Sequence, residues 1–176
     1  MGEDGRTSPG VRRTIDDVPP EWNRVSEAVI GAAMEVHNIL GPGLLEKHYE
    51  KAFVHELMSR GLRVRSQVPI RLTYKGIDLG EQFLDVVVED LIVLELKSVE
   101  IVHDVHLRQL VSYLTASGLP LGLLINFNVA RLKDGITRRV RSRSTPLPAT
   151  FASADLLPQC FPSPSGPPTI HSTPPS

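Results

Sequence analysis

Residues 83–97 read FLDVVVEDLIVLELK, and this stretch decides the fold. Two apolar runs of strand length, 83–88 and 91–97, flank the polar pair Glu89-Asp90, which is typical of a tight turn. A charged residue interrupts each run: Asp85 lies in the first, and Glu95 and Lys97 lie in the second. The stretch therefore predicts a buried β-hairpin that carries charged side chains.

The spacing of these charges predicts that they lie close together. Because side chains alternate across a strand, Glu95 and Lys97 share a face, and a hairpin turning at Asp90 sets Asp85 directly opposite Glu95. Opposed residues have Cβ atoms about 4.5–5.5 Å apart, so the two carboxylates repel each other unless a positive charge lies between them. A divalent cation with Lys97 beside it meets that need. A structural salt bridge at an exposed edge is the alternative, although charges in so apolar a segment are costly without pairing or a metal.

The flanking sequence predicts the remaining elements. Helical spacing runs from Val25 to Leu40 and again from Leu45 to Leu57, and a period of two follows from Val64 to Leu72. After the hairpin we expect a helix at Asp104–Ser117, with Asp104 as its N-cap. A strand buried on both faces should follow at Leu121–Phe127, and an edge strand at Gly135–Arg141. This order, α, α, β, β, β, α, β, β, predicts a mixed α/β fold with a central mixed sheet flanked by helices.

The amino-acid composition indicates where the folded domain lies and to which broad class the protein belongs. The chain has 176 residues, and nine of its 15 prolines lie after Ser144. We expect a flexible arm at 1–20, one folded domain at 21–142 and a disordered Pro/Ser-rich tail at 143–176. The single cysteine, Cys160, excludes an internal disulfide and a cysteine-built zinc site. Without a long apolar run or a signal-like N-terminus, the sequence predicts a cytoplasmic protein with no membrane partner.

Two motifs resemble those of known nucleases. Asp85 followed by Glu95-Leu96-Lys97 resembles the PD-(D/E)xK signature of restriction-endonuclease-like nucleases, and residues 43–49, GLLEKHY, are similar to the motif that names the GxxExxY protein family. The resemblance extends from about Trp22 to Val140. It implies a restriction-endonuclease-like core and hydrolysis of phosphodiester bonds in DNA, with RNA the less favoured substrate.

The resemblance also implies roles for individual residues. Asp85 and Glu95 would hold Mg²⁺ or Mn²⁺, because these ions prefer oxygen ligands, and Lys97 would orient the nucleophile or stabilise developing charge. Glu46 is either a further ligand, or a residue supporting the ligands, or simply a favourable charge in the first turn of a helix. Gln109 and Tyr113 resemble the QxxxY element of RecB-like nucleases, which lies near the metal; the alternative is an ordinary polar helix face.

The net charge of −1 hides a basic strip near the end of the domain. Between Ala130 and Arg143 there are six basic residues against the single acidic Asp134. Three of them are candidate contacts to a nucleic-acid backbone, namely Arg138, Arg139 and Arg141. A merely solvated strip is the alternative, and a binding module without efficient chemistry is the rival to an enzyme. Nucleic acid, DNA before RNA, is the expected partner, and a homodimer stays open.

Overall fold

The computed structural model describes residues 18–141 of the chain. Its elements follow the predicted order, with bounds α1 (Pro20–Leu40), α2 (Glu46–Ser59), β1 (Val64–Tyr74), β2 (Ile77–Val88), β3 (Ile92–Lys97), α3 (Asp104–Ser117), β4 (Leu121–Asn126) and β5 (Ile136–Val140). A 3₁₀ turn at Leu132–Gly135 precedes β5. Residues 1–17 of the expected N-terminal arm and all of the expected tail at 143–176 lie outside the described residues.

The five strands form one mixed sheet in the order β1-β2-β3-β4-β5. Only β3 and β4 run parallel, because α3 carries the chain from one to the other; the remaining neighbours are antiparallel. Every residue of β4 is buried, as the continuous apolar run predicts for a strand covered on both faces. The predicted α/β class with a central mixed sheet and flanking helices is confirmed.

Helices cover both faces of the sheet and define two cores. The first two helices pack on one face, where Tyr49 stacks on Phe127 with ring centroids 4.6 Å apart. The third helix packs on the other face and lies close to β4 at Gly122, where an added Cβ would meet the side chain of Leu110 at 2.8 Å. Glycine at this position therefore permits the close approach of α3 to the sheet.

The bounds of α3 are as predicted, but its N-cap lies one residue before the expected one. The helix begins at Asp104, and its N-cap is His103, whose backbone is extended. The backbone N–H of His103 donates to the His106 ring at 3.3 Å. Asp104 is therefore not the cap; it lies in the first turn, where its negative charge interacts favourably with the helix dipole.

The strand β2 separates from β3 at Asp85 but stays paired with β1. It pairs with β3 only from Val86 to Val88, whereas its pairing with β1 continues to Ile77. Val86 belongs to the core under the first two helices, but Leu84 belongs to the core under α3, so the buried face of the β1–β2 ribbon changes at this point. Gln67 on β1 has a positive φ of 52° there. Asp85 consequently lies where the strands separate.

Candidate functional site

Glu95 is the most deeply buried charged residue that the structure describes, with a relative exposure of 1%. Its Oε1 accepts a hydrogen bond from Lys97 Nζ at 2.6 Å, while its Oε2 is buried and has no hydrogen-bond partner. Burial, reinforced by the negative charge of Asp85, raises the pKa of Glu95 to about 7 against the opposing effect of Lys97. An orphaned carboxylate oxygen of this kind is costly unless another group binds it.

Asp85 occupies the gap between β2 and β3. Its Oδ2 accepts a hydrogen bond from the backbone N–H of Leu96 at 2.9 Å, so the side chain replaces the strand backbone that has just diverged. Burial raises the pKa of Asp85, opposed by this hydrogen bond and by the charge of Lys97. The predicted register is confirmed for the pairs up to Val86 opposite Leu94, but the ladder stops one residue before Asp85 would face Glu95.

Glu46 reaches the same place from the first residue of α2. Burial raises the pKa of Glu46, and the negative charge of Asp85 raises it further, whereas the positive charge of Lys97 and a hydrogen bond from the Ser98 backbone lower it. Glu46, Asp85, Glu95 and Lys97 therefore form one group, called here the carboxylate cluster. It lies at the carboxyl end of β3.

Two features of the chain fix the backbone at this end of β3. Asn126, at the end of β4, is 1% exposed and binds both polar backbone groups of Val99 through its side-chain amide, at 3.1 and 2.8 Å. The backbone N–H of Phe127 donates to the carbonyl of Lys97 at 2.8 Å. Asn126 was not among the predicted site residues, although a lone amide at the end of the apolar run LGLLIN marks it as unusual.

Gln109 and Tyr113 bind each other on α3. Gln109 Nε2 donates to the Tyr113 hydroxyl at 2.7 Å, and Tyr113 packs in the core that also contains Val93 of β3. Among the hydrogen bonds of residues 18–141, none joins either side chain to the carboxylate cluster. At the start of the same helix, burial and then the positive charge of Lys97 lower the pKa of His106.

The predicted arginine contacts do not form one strip. Neighbouring residues of β5 point to opposite faces, so Arg138, which pairs with Leu123, lies on the α1 side, where burial lowers its pKa. Arg139 pairs with Gly122, which pairs with Val93. Arg139 is therefore about 13 Å along the sheet from the level of Lys97. Arg141 follows the strand, and its backbone N–H donates to the Pro120 carbonyl at 2.8 Å.

Arg139 instead lines an open groove beside α3. The groove has a volume of about 430 Å³, and its lining includes Arg108 together with the apolar side chains of Leu107 and Val111. Arg108 was not among the predicted nucleic-acid contacts, because its place beside β5 depends on how α3 crosses the sheet. Two guanidinium groups on one groove are suited to binding an anionic chain.

The donor set of the carboxylate cluster suits a hard divalent cation. It offers only carboxylate oxygens, the ligands that Mg²⁺ and Mn²⁺ prefer, and one of them is the orphaned Oε2 of Glu95. Within residues 18–141, however, no three acidic, histidine or cysteine side chains stand in a ready ligand arrangement. Lys97 holds one Glu95 oxygen, so a bound ion requires the side chains to shift.

No helix between residues 18 and 141 is long and apolar enough to cross a membrane.

Comparisons with known proteins identify the family to which the chain belongs. Neither the curated proteins nor the solved structures contain a match to the chain. The family model of the PD-(D/E)XK nuclease superfamily matches residues 23–140, which is most of the chain and includes the whole carboxylate cluster. The chain belongs to the PD-(D/E)XK nuclease superfamily.

Proposed function

We propose that this protein is a metal-dependent nuclease that hydrolyses phosphodiester bonds in DNA, with RNA as the less favoured substrate. The observation that carries the proposal is the buried Glu95 carboxylate, whose Oε2 has no partner although Asp85 and Lys97 lie beside it. Such an arrangement is costly in a merely structural core, but it prepares oxygen atoms for a cation. Membership of the nuclease superfamily supports the same conclusion.

Asp85, Glu95 and Glu46 would hold the cation, Mg²⁺ or Mn²⁺. When bound, such an ion polarises a phosphoryl oxygen and lowers the pKa of the attacking water. The three carboxylates supply the negative charge that holds it. Glu95 would hold the ion as a carboxylate, so with a pKa of about 7 it would have to lose a proton near neutral pH.

Lys97 acts as a cation and not as a base. Burial alone lowers the pKa of Lys97, but the hydrogen bond and charge of Glu95, with the charges of Glu46 and Asp85, raise it above its ordinary value. The ammonium group therefore keeps its proton at neutral pH. Its 15% exposed side chain can orient the nucleophile and stabilise negative charge as it develops on the phosphorus oxygens.

The substrate would be positioned by α3 and its surroundings. Gln109 and Tyr113, already bonded to each other, would present polar groups to the substrate on one side of the helix. Arg139, with Arg108, lines the groove on the opposite side of the helix and suits contacts to the phosphate backbone. Arg138 lies on the other sheet face and Arg141 beyond the strand, so neither joins this groove.

One observation favours a second candidate, a nucleic-acid-binding module without efficient chemistry. Lys97 already neutralises Glu95 at 2.6 Å, and residues 18–141 show no ready ligand arrangement. A site that remains in this ion-paired form would keep the fold and bind a partner without cleaving it.

Metal titration combined with cleavage assays separates the two candidates. The parent protein should bind Mn²⁺ or Mg²⁺ at millimolar concentration or below and cleave a single-stranded, double-stranded or branched DNA. Asp85→Ala should lose both properties, whereas Asp78→Ala, an exposed aspartate on the same strand, should keep both. If the parent binds neither ion and cleaves no DNA or RNA, the nuclease proposal fails and the binding module replaces it.

A further inference from the structure

The loop that leads into Glu46 is held by hydrogen bonds. The Tyr49 hydroxyl donates to the carbonyl of Gly41 at 2.6 Å and accepts from the backbone N–H of Leu44 at 3.1 Å. Leu44 and Leu45 are 39% and 63% exposed, so burial of their side chains contributes little to the shape of the loop. Gly41 and Gly43 have φ values of 66° and 102°, and because glycine adopts many backbone conformations with equal ease, specific contacts are needed to select this one.

A second hydrogen bond joins the same loop to the end of the strand that carries Lys97. Ser98, the residue after Lys97, donates its hydroxyl hydrogen to the Leu44 carbonyl at 2.6 Å. Both polar backbone groups of Leu44 are thus bound by side chains, one by Tyr49 and the other by Ser98. The loop that ends at Glu46 is therefore joined directly to the end of β3.

The ring of Tyr49 is held by packing. It is fully buried and stacks on Phe127 at 4.6 Å, and the backbone N–H of Phe127 binds the Lys97 carbonyl. Packing alone would be satisfied by phenylalanine, because the apolar core makes no use of a hydroxyl group. The hydroxyl serves the loop, and through the loop it determines where α2 and its first residue, Glu46, begin.

We infer that Tyr49 and Ser98 are positioning residues that hold Glu46 next to Asp85 and Lys97. The inference rests on the proposed function, since Glu46 matters as a ligand only if the carboxylate cluster binds a cation. The two hydroxyl groups act through Glu46 and touch neither the ion nor the substrate. Residues that orient metal ligands in this way commonly change metal affinity about 10–100-fold when they are removed.

A double-mutant cycle tests the inference by calorimetric titration with Mn²⁺. Tyr49→Phe keeps the stacked ring and should weaken Mn²⁺ binding about 10-fold, the lower end of the range for such residues. Glu46→Gln should also weaken binding. In the Glu46→Gln background, Tyr49→Phe should cause no further loss, because the residue through which it acts is already gone. Tyr74→Phe, an exposed tyrosine at the β1–β2 turn, is the matched control and should change nothing.

Hydrogen exchange and a serine series provide independent readouts. The Leu44 amide should exchange faster in Tyr49→Phe, because its acceptor has been removed. Ser98→Ala should weaken Mn²⁺ binding, and Ser98→Thr, which retains a hydroxyl, should restore it. This series carries the test if Tyr49→Phe does not fold.

The outcomes are distinguishable. Unchanged Mn²⁺ affinity in both Tyr49→Phe and Ser98→Ala overturns the inference while leaving the nuclease proposal intact. An equal loss with and without Glu46 overturns it too, because the tyrosine would then act on the whole fold. Failure of the parent protein to bind Mn²⁺ refutes the proposed function, and the positioning inference falls with it.

Discussion

Replacing Glu95 by glutamine should remove a pH-dependent loss of stability. Burial raises the pKa of Glu95 from 4.5 to about 7, so between these values the folded protein holds a proton that the unfolded chain has released. The free energy of unfolding therefore falls as the pH rises through this window. Each pKa unit corresponds to about 1.36 kcal/mol, which makes the full effect about 3 kcal/mol.

Urea unfolding in EDTA, measured from pH 4 to pH 8, gives the comparison. The parent protein should lose about 3 kcal/mol relative to Glu95→Gln across this range, because glutamine resembles the protonated acid and does not titrate. A residual slope of the same sign should remain in both proteins, since burial also raises the pKa of Asp85 and Glu46. Glu100→Gln, at an exposed glutamate, should follow the parent curve.

Parallel stability curves for the parent and Glu95→Gln would refute the reasoning. They would mean that Lys97 or water stabilises the Glu95 carboxylate enough to keep its pKa ordinary. The unpartnered Oε2 would then have no energetic consequence, and the case for a cation at this position would lose its main support.

Three further predictions concern chemistry, binding and domain limits. Lys97→Ala should abolish cleavage in a metal-dependent nuclease assay but leave the Mn²⁺ affinity, measured by calorimetry, nearly intact, because an ammonium group is no metal ligand. A purely structural ion pair instead predicts a loss of about 3–5 kcal/mol in stability and no change in metal binding. The double variant Arg108→Ala, Arg139→Ala should weaken DNA binding, measured by fluorescence anisotropy, and reduce the slope of log affinity against log salt concentration by about two. Arg131 pairs with Asp134, so the control variant Arg131→Ala should have little effect. Deleting residues 145–176 should change the Tm little, because that segment has no amphipathic period; a large drop by calorimetry would show that it packs on the domain.

Much of the fold was predictable because its determinants are local. The period of the apolar residues defines each element, and the register of the β2–β3 hairpin follows from the turn at Glu89 and Asp90, both of which have the positive φ that such a turn requires. The result, a five-stranded mixed sheet with flanking helices, is consistent with the restriction-endonuclease-like core of the superfamily. The narrower GxxExxY assignment stays a prediction.

The features that the sequence did not predict depend on distant parts of the chain. Nothing local marks Gln67 for a positive φ, so the point where β2 leaves β3 was not predicted, and Asp85 was placed within the ladder instead of at its end. The bond of Ser98 to Leu44 joins two segments that are 54 residues apart, and no local sequence pattern indicates it. The placement of Arg138 and Arg139 on opposite faces could have been predicted from the sequence, since side chains alternate along a strand.

The departure of β2 from β3 leaves a strand edge open to other chains. Within residues 18–141, the stretch from Ile77 to Asp85 pairs only with β1, and an open edge of this kind is a template on which foreign strands add and aggregates grow. Three features counteract this hazard: Asp78 and Glu81 carry charge along the stretch, and Gly80, with a φ of 97°, breaks its extended backbone. Replacing these residues by apolar ones would threaten solubility before it threatened the fold.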